Sequence, residues 1–106
     1  MADINKMIIS GQVVWIGEGV TYEGDPVINY TITSRDFSQI GRDRVAENTT
    51  IECNQFHNIN LVRSKLEIGM QVTVEGSLKN RVWQKNGQTM QKYQIRVDKI
   101  IFGEKP

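Results

Sequence analysis

The clearest regularity along the chain is alternation of apolar and polar residues, the period of a strand with one buried face. Val27 to Ser34 places Ile28, Tyr30 and Ile32 on its even side and Asn29, Thr31 and Thr33 on the other, so the even side is expected inward. Gln71 to Leu78 repeats the pattern, with Val72, Val74 and Leu78 inward and Thr73, Glu75 and Ser77 outward. Asn5 to Ile16 is rich in β-branched and aromatic types around Gly11. A glycine inside a strand marks a bulge or bend, which lets one strand serve two faces of a closed barrel. Thr49 to Phe56 and Thr89 to Val97 read as two more strands, the last followed by an apolar end at Ile100 to Phe102. Between the third and fourth strands, Asn58 precedes Ile59, Leu61, Val62 and Leu66 at helical spacing and Gly69 follows. That predicts a short helix with an asparagine N-cap. Gly17 to Pro26, with three glycines, a proline and three acids, reads as an exposed loop. Arg35 to Asn48 reads as a second polar loop, long for a hairpin connection and therefore mobile or functional.

Five strands with a helix between the third and the fourth is the order of the oligonucleotide-binding (OB) barrel. The expected fold class is thus all-β with one short helix, a five-stranded OB-fold barrel; an open α+β sheet is the competing arrangement. The 106 residues suit one domain, 1–106, with a modest core.

Lys85-Asn86-Gly87-Gln88 carries Asn-Gly between two strands, the strongest short-range signal for a two-residue type I′ turn. With that turn, facing residue numbers sum to a constant: Trp83 faces Met90, Arg81 faces Lys92, Lys79 faces Gln94 and Ser77 faces Arg96. The opposite face pairs Val82 with Gln91, Asn80 with Tyr93 and Leu78 with Ile95, and is the core side near the base of the hairpin. Two cations directly opposed destabilise a strand pair by some tenths of a kcal/mol, so the arrangement makes sense mainly beside a polyanion.

Charge changes the picture in the same place. The net charge of +1 gives no hint of an anionic partner, yet Lys79 to Lys99 holds six basic residues and only Asp98 as an acid. An indole at Trp83 among Lys79, Arg81, Lys92 and Arg96 is the composition expected where bases stack on a ring while cations hold phosphates. Single-stranded DNA is the expected partner. The competing readings are a solvated basic hairpin and a protein-interaction module anchored by Trp15, Tyr22 and Trp83.

Catalysis is not expected. Cys53 and His57 are the sole thiol and imidazole, without a third orienting group, and the ligand inventory is too short for a structural zinc site. Gly17-Glu18-Gly19 lacks the ending of a phosphate loop. No cofactor or metal is expected. Cys53 is expected as a small buried core residue. Apolar runs are only a few residues long and no signal-peptide pattern opens the chain, so a soluble cytoplasmic protein with no membrane association is expected.

Several motifs together resemble the bacterial single-stranded DNA-binding protein family. They are Asn5-Lys6 before Met-Ile-Ile-x-Gly, Tyr22-x-Gly-x-Pro-Val ahead of Asn29 and Thr31, Ile68 to Leu78 as Ile-Gly-Met-Gln-Val-Thr-Val-Glu-Gly-Ser-Leu, and Arg81-x-Trp83-Gln-x-x-Gly87-Gln. The resemblance runs from about Ile4 to Phe102. It implies an OB fold, usually assembled into a tetramer, wrapping single strands in replication, recombination or repair. By position it implies stacking on Trp83, Phe56 and, near another stacking site, Phe37. In this reading Arg35 and Asn54 join Lys79, Arg81, Lys92 and Arg96 as DNA contacts. Departures are the lack of an aromatic near Thr50 and Ile51, and Thr21 where a basic residue commonly precedes the loop tyrosine. The sequence also ends at Gly103-Glu104-Lys105-Pro106, without the acidic tail that recruits partners in the family. Its length and bare end also resemble primosomal replication protein N, a related replication-restart protein, so replication or primosome proteins are expected among its partners. Trp15 has no counterpart in the family pattern.

Overall fold

Five strands and one helix, β1 (Met7–Val20), β2 (Pro26–Ile40), β3 (Asp43–Gln55), α1 (Ile59–Lys65), β4 (Gln71–Lys85) and β5 (Gln88–Phe102), make up a computed structural model that describes residues 2–106. The strands close into a barrel in the order β1-β2-β3-β5-β4, the OB arrangement expected from the sequence. All ladders are antiparallel except β3 with β5, which pair in parallel from Glu52↔Gln94 to Gln55↔Val97.

The alternating segments build the interior. Ile28, Tyr30 and Ile32 of β2, Cys53 of β3, Val72 and Val74 of β4, and Ile95 and Val97 of β5 are all buried, each side chain contributing about 1.5–3 kcal/mol for the larger aliphatics. The one polar group among them is satisfied: the Tyr30 hydroxyl donates to Gln55 Oε1 at 3.0 Å, and Gln55 Nε2 donates to the His57 carbonyl at 2.8 Å. β1 closes the barrel by pairing β4 through Met7–Gln12 and β2 through Gln12–Val20. Gly11 sits at that crossover, where a Cβ would come within 2.8 Å of the Thr33 carbonyl oxygen; the strand's irregularity itself falls two residues later, between Val13 and Trp15. At Gly76 a Cβ would lie 2.0 Å from the Arg96 carbonyl oxygen, beside the bulge of β4.

Of the two segments expected as loops, half of the first and nearly all of the second are strand. β1 runs on to Val20, and the turn is only Thr21 to Asp25, held by Thr21 N–H to the Asp25 carbonyl at 2.7 Å and Asp25 N–H to Thr21 Oγ1 at 3.1 Å. Arg35 to Asn48 is a ladder from Arg35↔Asn48 to Ile40↔Asp43, reversed at Gly41 and Arg42. The reasons differ: the β2–β3 arm has no buried face to write alternation into it, whereas Gly17 to Val20 read as a loop for their glycines and acid although they pair with the buried Val27 and Ile28. β5 likewise continues past Val97 to Phe102, and the first strand begins at Met7 rather than Asn5.

α1 has seven residues, too short to persist alone, and is held by Val62 and Leu66 buried against the barrel. Asn58 stands at its N-cap position but makes no side-chain cap bond; its φ of 55° is left-handed, a conformation asparagine tolerates better than most residues. After the helix, Gly69 N–H donates to the Val13 carbonyl at 2.7 Å and Val13 N–H to that of Met70 at 2.9 Å, tying the exit onto β1.

Candidate nucleic-acid interface

The hairpin register read from Asn86-Gly87 is the one adopted: Trp83 faces Met90, Arg81 faces Lys92, Lys79 faces Gln94 and Ser77 faces Arg96. Both turn residues have positive φ, 51° and 78°, as a type I′ turn requires. The core side of this hairpin ends at Leu78 and Ile95, and beyond them Val82 and Tyr93 are exposed as the arm stands off the barrel.

Register across four strands then fixes an outer face. Asn29, Asn54, Arg96 and Ser77 form one row; Thr31, Glu52, Gln94 and Lys79 form the next. Asn29, Asn54, Arg96, Glu52, Gln94 and Lys79 of these rows line an open groove of about 380 Å³, bounded by the β1–β2 turn on one side and the base of the β4–β5 arm on the other. Asn54, Phe56, Lys79, Arg81 and Arg96 of the sequence-predicted site all line it. Phe56 follows β3 directly and is 37% exposed, with the Arg96 guanidinium 5.5 Å from its ring centre. On the arm, the Arg81 guanidinium lies 5.5 Å from the Trp83 ring. Two rings are thus each partnered by a cation, an arrangement that offers a π face and a phosphate donor side by side.

Glu52 alters the expected electrostatics. Its side chain, 15% exposed on the groove floor, forms an ion pair with Lys92. Burial pushes its carboxyl up, but hydrogen bonds from Lys92 and Gln94 and the charges of Lys92 and Arg81 outweigh that and hold it below its ordinary value. The opposed Arg81 and Lys92 are therefore relieved by a carboxylate from β3, not left waiting for a polyanion. Lys79, Arg81 and Arg96 are in no ion pair among the described residues. Sequence reasoning missed the Glu52–Lys92 pair, because nothing in the sequence marks β3 as the neighbour of β5.

The remaining predicted residues lie elsewhere. Phe37 is on the β2–β3 arm, 59% exposed, with the Arg44 guanidinium 4.3 Å from its ring centre. Arg35 lines a separate groove with Ser10, Gln12 and Thr33 and donates to Gln12 Oε1 at 3.4 Å. The structure does not bring these two into the groove that holds Phe56. Cys53 is buried, and burial with the nearby Glu52 pushes its thiol up to about 12, so it is protonated at neutral pH. His57 is exposed on the surface, away from that interior. Among the described residues, no group of three or more His, Cys, Asp or Glu could hold a metal ion, and no helix is long and apolar enough to cross a membrane.

The sequence profile of the single-strand binding protein family matches residues 4–102. The chain belongs to that family. As a single-strand binding protein it binds single-stranded DNA, and its family is one of binding proteins with typical roles in replication and repair. Solved structures share the fold. A Plasmodium falciparum single-strand binding protein in complex with single-stranded DNA has a TM-score of 0.88 at 21% identity over 98% of both chains. The small single-stranded DNA-binding protein of Streptomyces coelicolor has 0.73 at 17% identity, covering 97% of this chain and 96% of its own. A deletion mutant of the Thermus aquaticus protein has 0.81 at 19% identity, over 95% of this chain and 51% of that one. Among curated proteins, none matches the sequence closely enough to add to this.

Proposed function

We propose that this single-strand binding protein holds DNA along the groove and the β4–β5 arm, with bases stacked on Phe56 and Trp83 and phosphates on Lys79, Arg81 and Arg96. The observation that carries this reading is the convergence of Phe56, Arg96, Lys79 and Arg81 on one groove, although they come from two strands and the segment after β3. Asn54, which donates to Asn29 Oδ1 at 2.8 Å, is a polar contact on the floor. Lys92 joins only when a phosphate competes with Glu52 for it. Phe37 and Arg35 are contacts for DNA that continues along the β2–β3 arm. No base-reading pattern is needed, because ring stacking and phosphate contacts accept any sequence.

Removing the Phe56 ring tests this directly. Phe56→Ala should weaken binding of a dT oligomer by about five- to 150-fold, with an unchanged melting temperature because the ring lies outside the core. Unchanged affinity would place the DNA elsewhere.

We also propose that the chain works as a dimer or tetramer. Ile8 and Ile101 are exposed apolar residues on the outer sides of β1 and β5, the two strands that flank β4, and this supports association through strand surfaces. Light scattering at tens of micromolar should give a mass above one chain; a monomer overturns it.

A further inference from the structure

β1 carries an aromatic residue that the groove alone does not use. Val13 is fully buried, and in a regular strand Trp15, two residues on, would also point inward. The irregularity between Val13 and Trp15 inserts Val14 as an extra residue: Val13 pairs Ile32, while Trp15 pairs Thr31 and Ile16 pairs Tyr30. The parity is thereby reversed. Ile16 packs against the core and Trp15 turns outward, 49% exposed. Such bulges re-aim a side chain at a cost in ladder hydrogen bonding.

The re-aimed ring meets the outer face already described. Trp15 pairs Thr31 and Thr31 pairs Glu52, so the indole's strand lies two strand spacings, roughly 10 Å, from the groove floor. The six-membered ring covers Gly17, where a Cβ would come within 2.4 Å of its Cη2 and 2.6 Å of its Cζ2. Gly17 pairs Asn29, and Asn29 lines the groove. The missing side chain at Gly17 therefore lets the indole reach toward the row of Asn29 and Asn54. One side of the ring rests on backbone and the ring remains half open to solvent. The nearest charged residue along the strand, Glu18, is paired with Arg63, so a contact here is made by the ring and not by phosphate-binding cations.

We propose that Trp15 is a further base-stacking platform, engaged by single-stranded DNA that continues from the groove across β2 onto β1. This rests on the groove reading above and extends the path by one strand of the barrel.

Trp15 and Trp83 are the only two tryptophans, so each can be made the sole emitter. In Trp83→Phe, emission from Trp15 should be quenched by dT oligomers at the upper end of the about 4 to 16 nucleotides that an OB fold covers. Trp15→Ala should weaken binding of those long oligomers by about five- to 150-fold, leave oligomers at the short end unaffected, and leave the salt dependence unchanged. Trp15→Phe should retain part of the affinity; if Trp15→Ala fails to fold, this variant and the single-tryptophan emission decide the matter. Unchanged Trp15 emission at saturation with long oligomers overturns the proposal, as does wild-type affinity of a folded Trp15→Ala for them. The groove reading is reported separately by Trp83 in the Trp15→Phe protein. A quench there with none at Trp15 removes only the extension; no quench at Trp83 either removes both.

Discussion

The closed barrel and the arm that rises from it are built from the same strands on opposite terms. Where β4 and β5 belong to the barrel, at Val72, Val74, Ile95 and Val97, one face is buried and packing determines each residue. Where the same strands leave it, from Lys79 to Lys92, both faces meet solvent, and the ladder, the Asn86-Gly87 turn and the Lys92–Glu52 ion pair hold them. The groove lies at the junction, with its floor on the barrel and its cations at the base of the arm. With DNA bound as proposed, stability and binding should separate along a single pair of strands. Substitutions in the barrel should change folding, and substitutions in the arm should change affinity.

The largest effect is expected in the barrel. Ile95→Ala should cost about 2–5 kcal/mol of folding stability in denaturant unfolding, while the folded fraction binds dT oligomers as the wild type does. A binding defect without a stability loss would break the division. On the arm, Trp83→Ala should lose about 1–3 kcal/mol of affinity and most of the tryptophan quench, with its melting temperature kept. An unstable Trp83→Ala whose folded fraction binds normally would make Trp83 a packing residue instead.

The junction itself is probed by Glu52. Its depressed carboxyl stabilises the fold above the ordinary carboxylate range, and that contribution is lost as pH falls through its folded value, when the pair with Lys92 breaks. Glu52→Gln frees Lys92 at neutral pH, so DNA should bind more tightly and the slope of log affinity against log salt should steepen by about 0.7, one phosphate contact. Wild-type affinity should rise relative to Glu52→Gln as pH is lowered through the same range, and parallel pH profiles would show that Glu52 does not compete for Lys92. The smallest effect belongs to the turn. Gly87→Ala, at φ 78°, should cost on the order of 1 kcal/mol, seen as faster amide exchange in the arm alone.

The same division explains what the sequence reveals. The barrel's strands, its helix and its inward positions are legible because burial on one face writes alternation into residues such as Ile28, Tyr30, Ile32, Val72 and Val74. The arm's register is legible for a different reason, since Asn86-Gly87 names its own turn. The β2–β3 arm has neither signal: Gly41-Arg42 is a weaker turn mark, and Phe37, Ile40 and Val45 are scattered among polar residues without a strand period, so it reads as a loop. The groove was legible residue by residue but not as an assembly. Its floor depends on β3 lying parallel to β5, a long-range pairing that local pattern does not encode, and the outward turn of Trp15 depends on one extra residue in β1.

In the proposed path the phosphates are held by three cations at the junction, Lys79, Arg81 and Arg96, which make no ion pair among the described residues. This is tested most directly by the salt dependence of dT-oligomer affinity in the wild type beside the triple variant Lys79→Gln, Arg81→Gln, Arg96→Gln. At about 0.7 per contact, three contacts give a wild-type slope of about −2 for an oligomer short enough to stay within the groove, and the triple variant should fall close to zero with that oligomer while staying folded. A triple variant that keeps the wild-type slope and affinity would contradict the account.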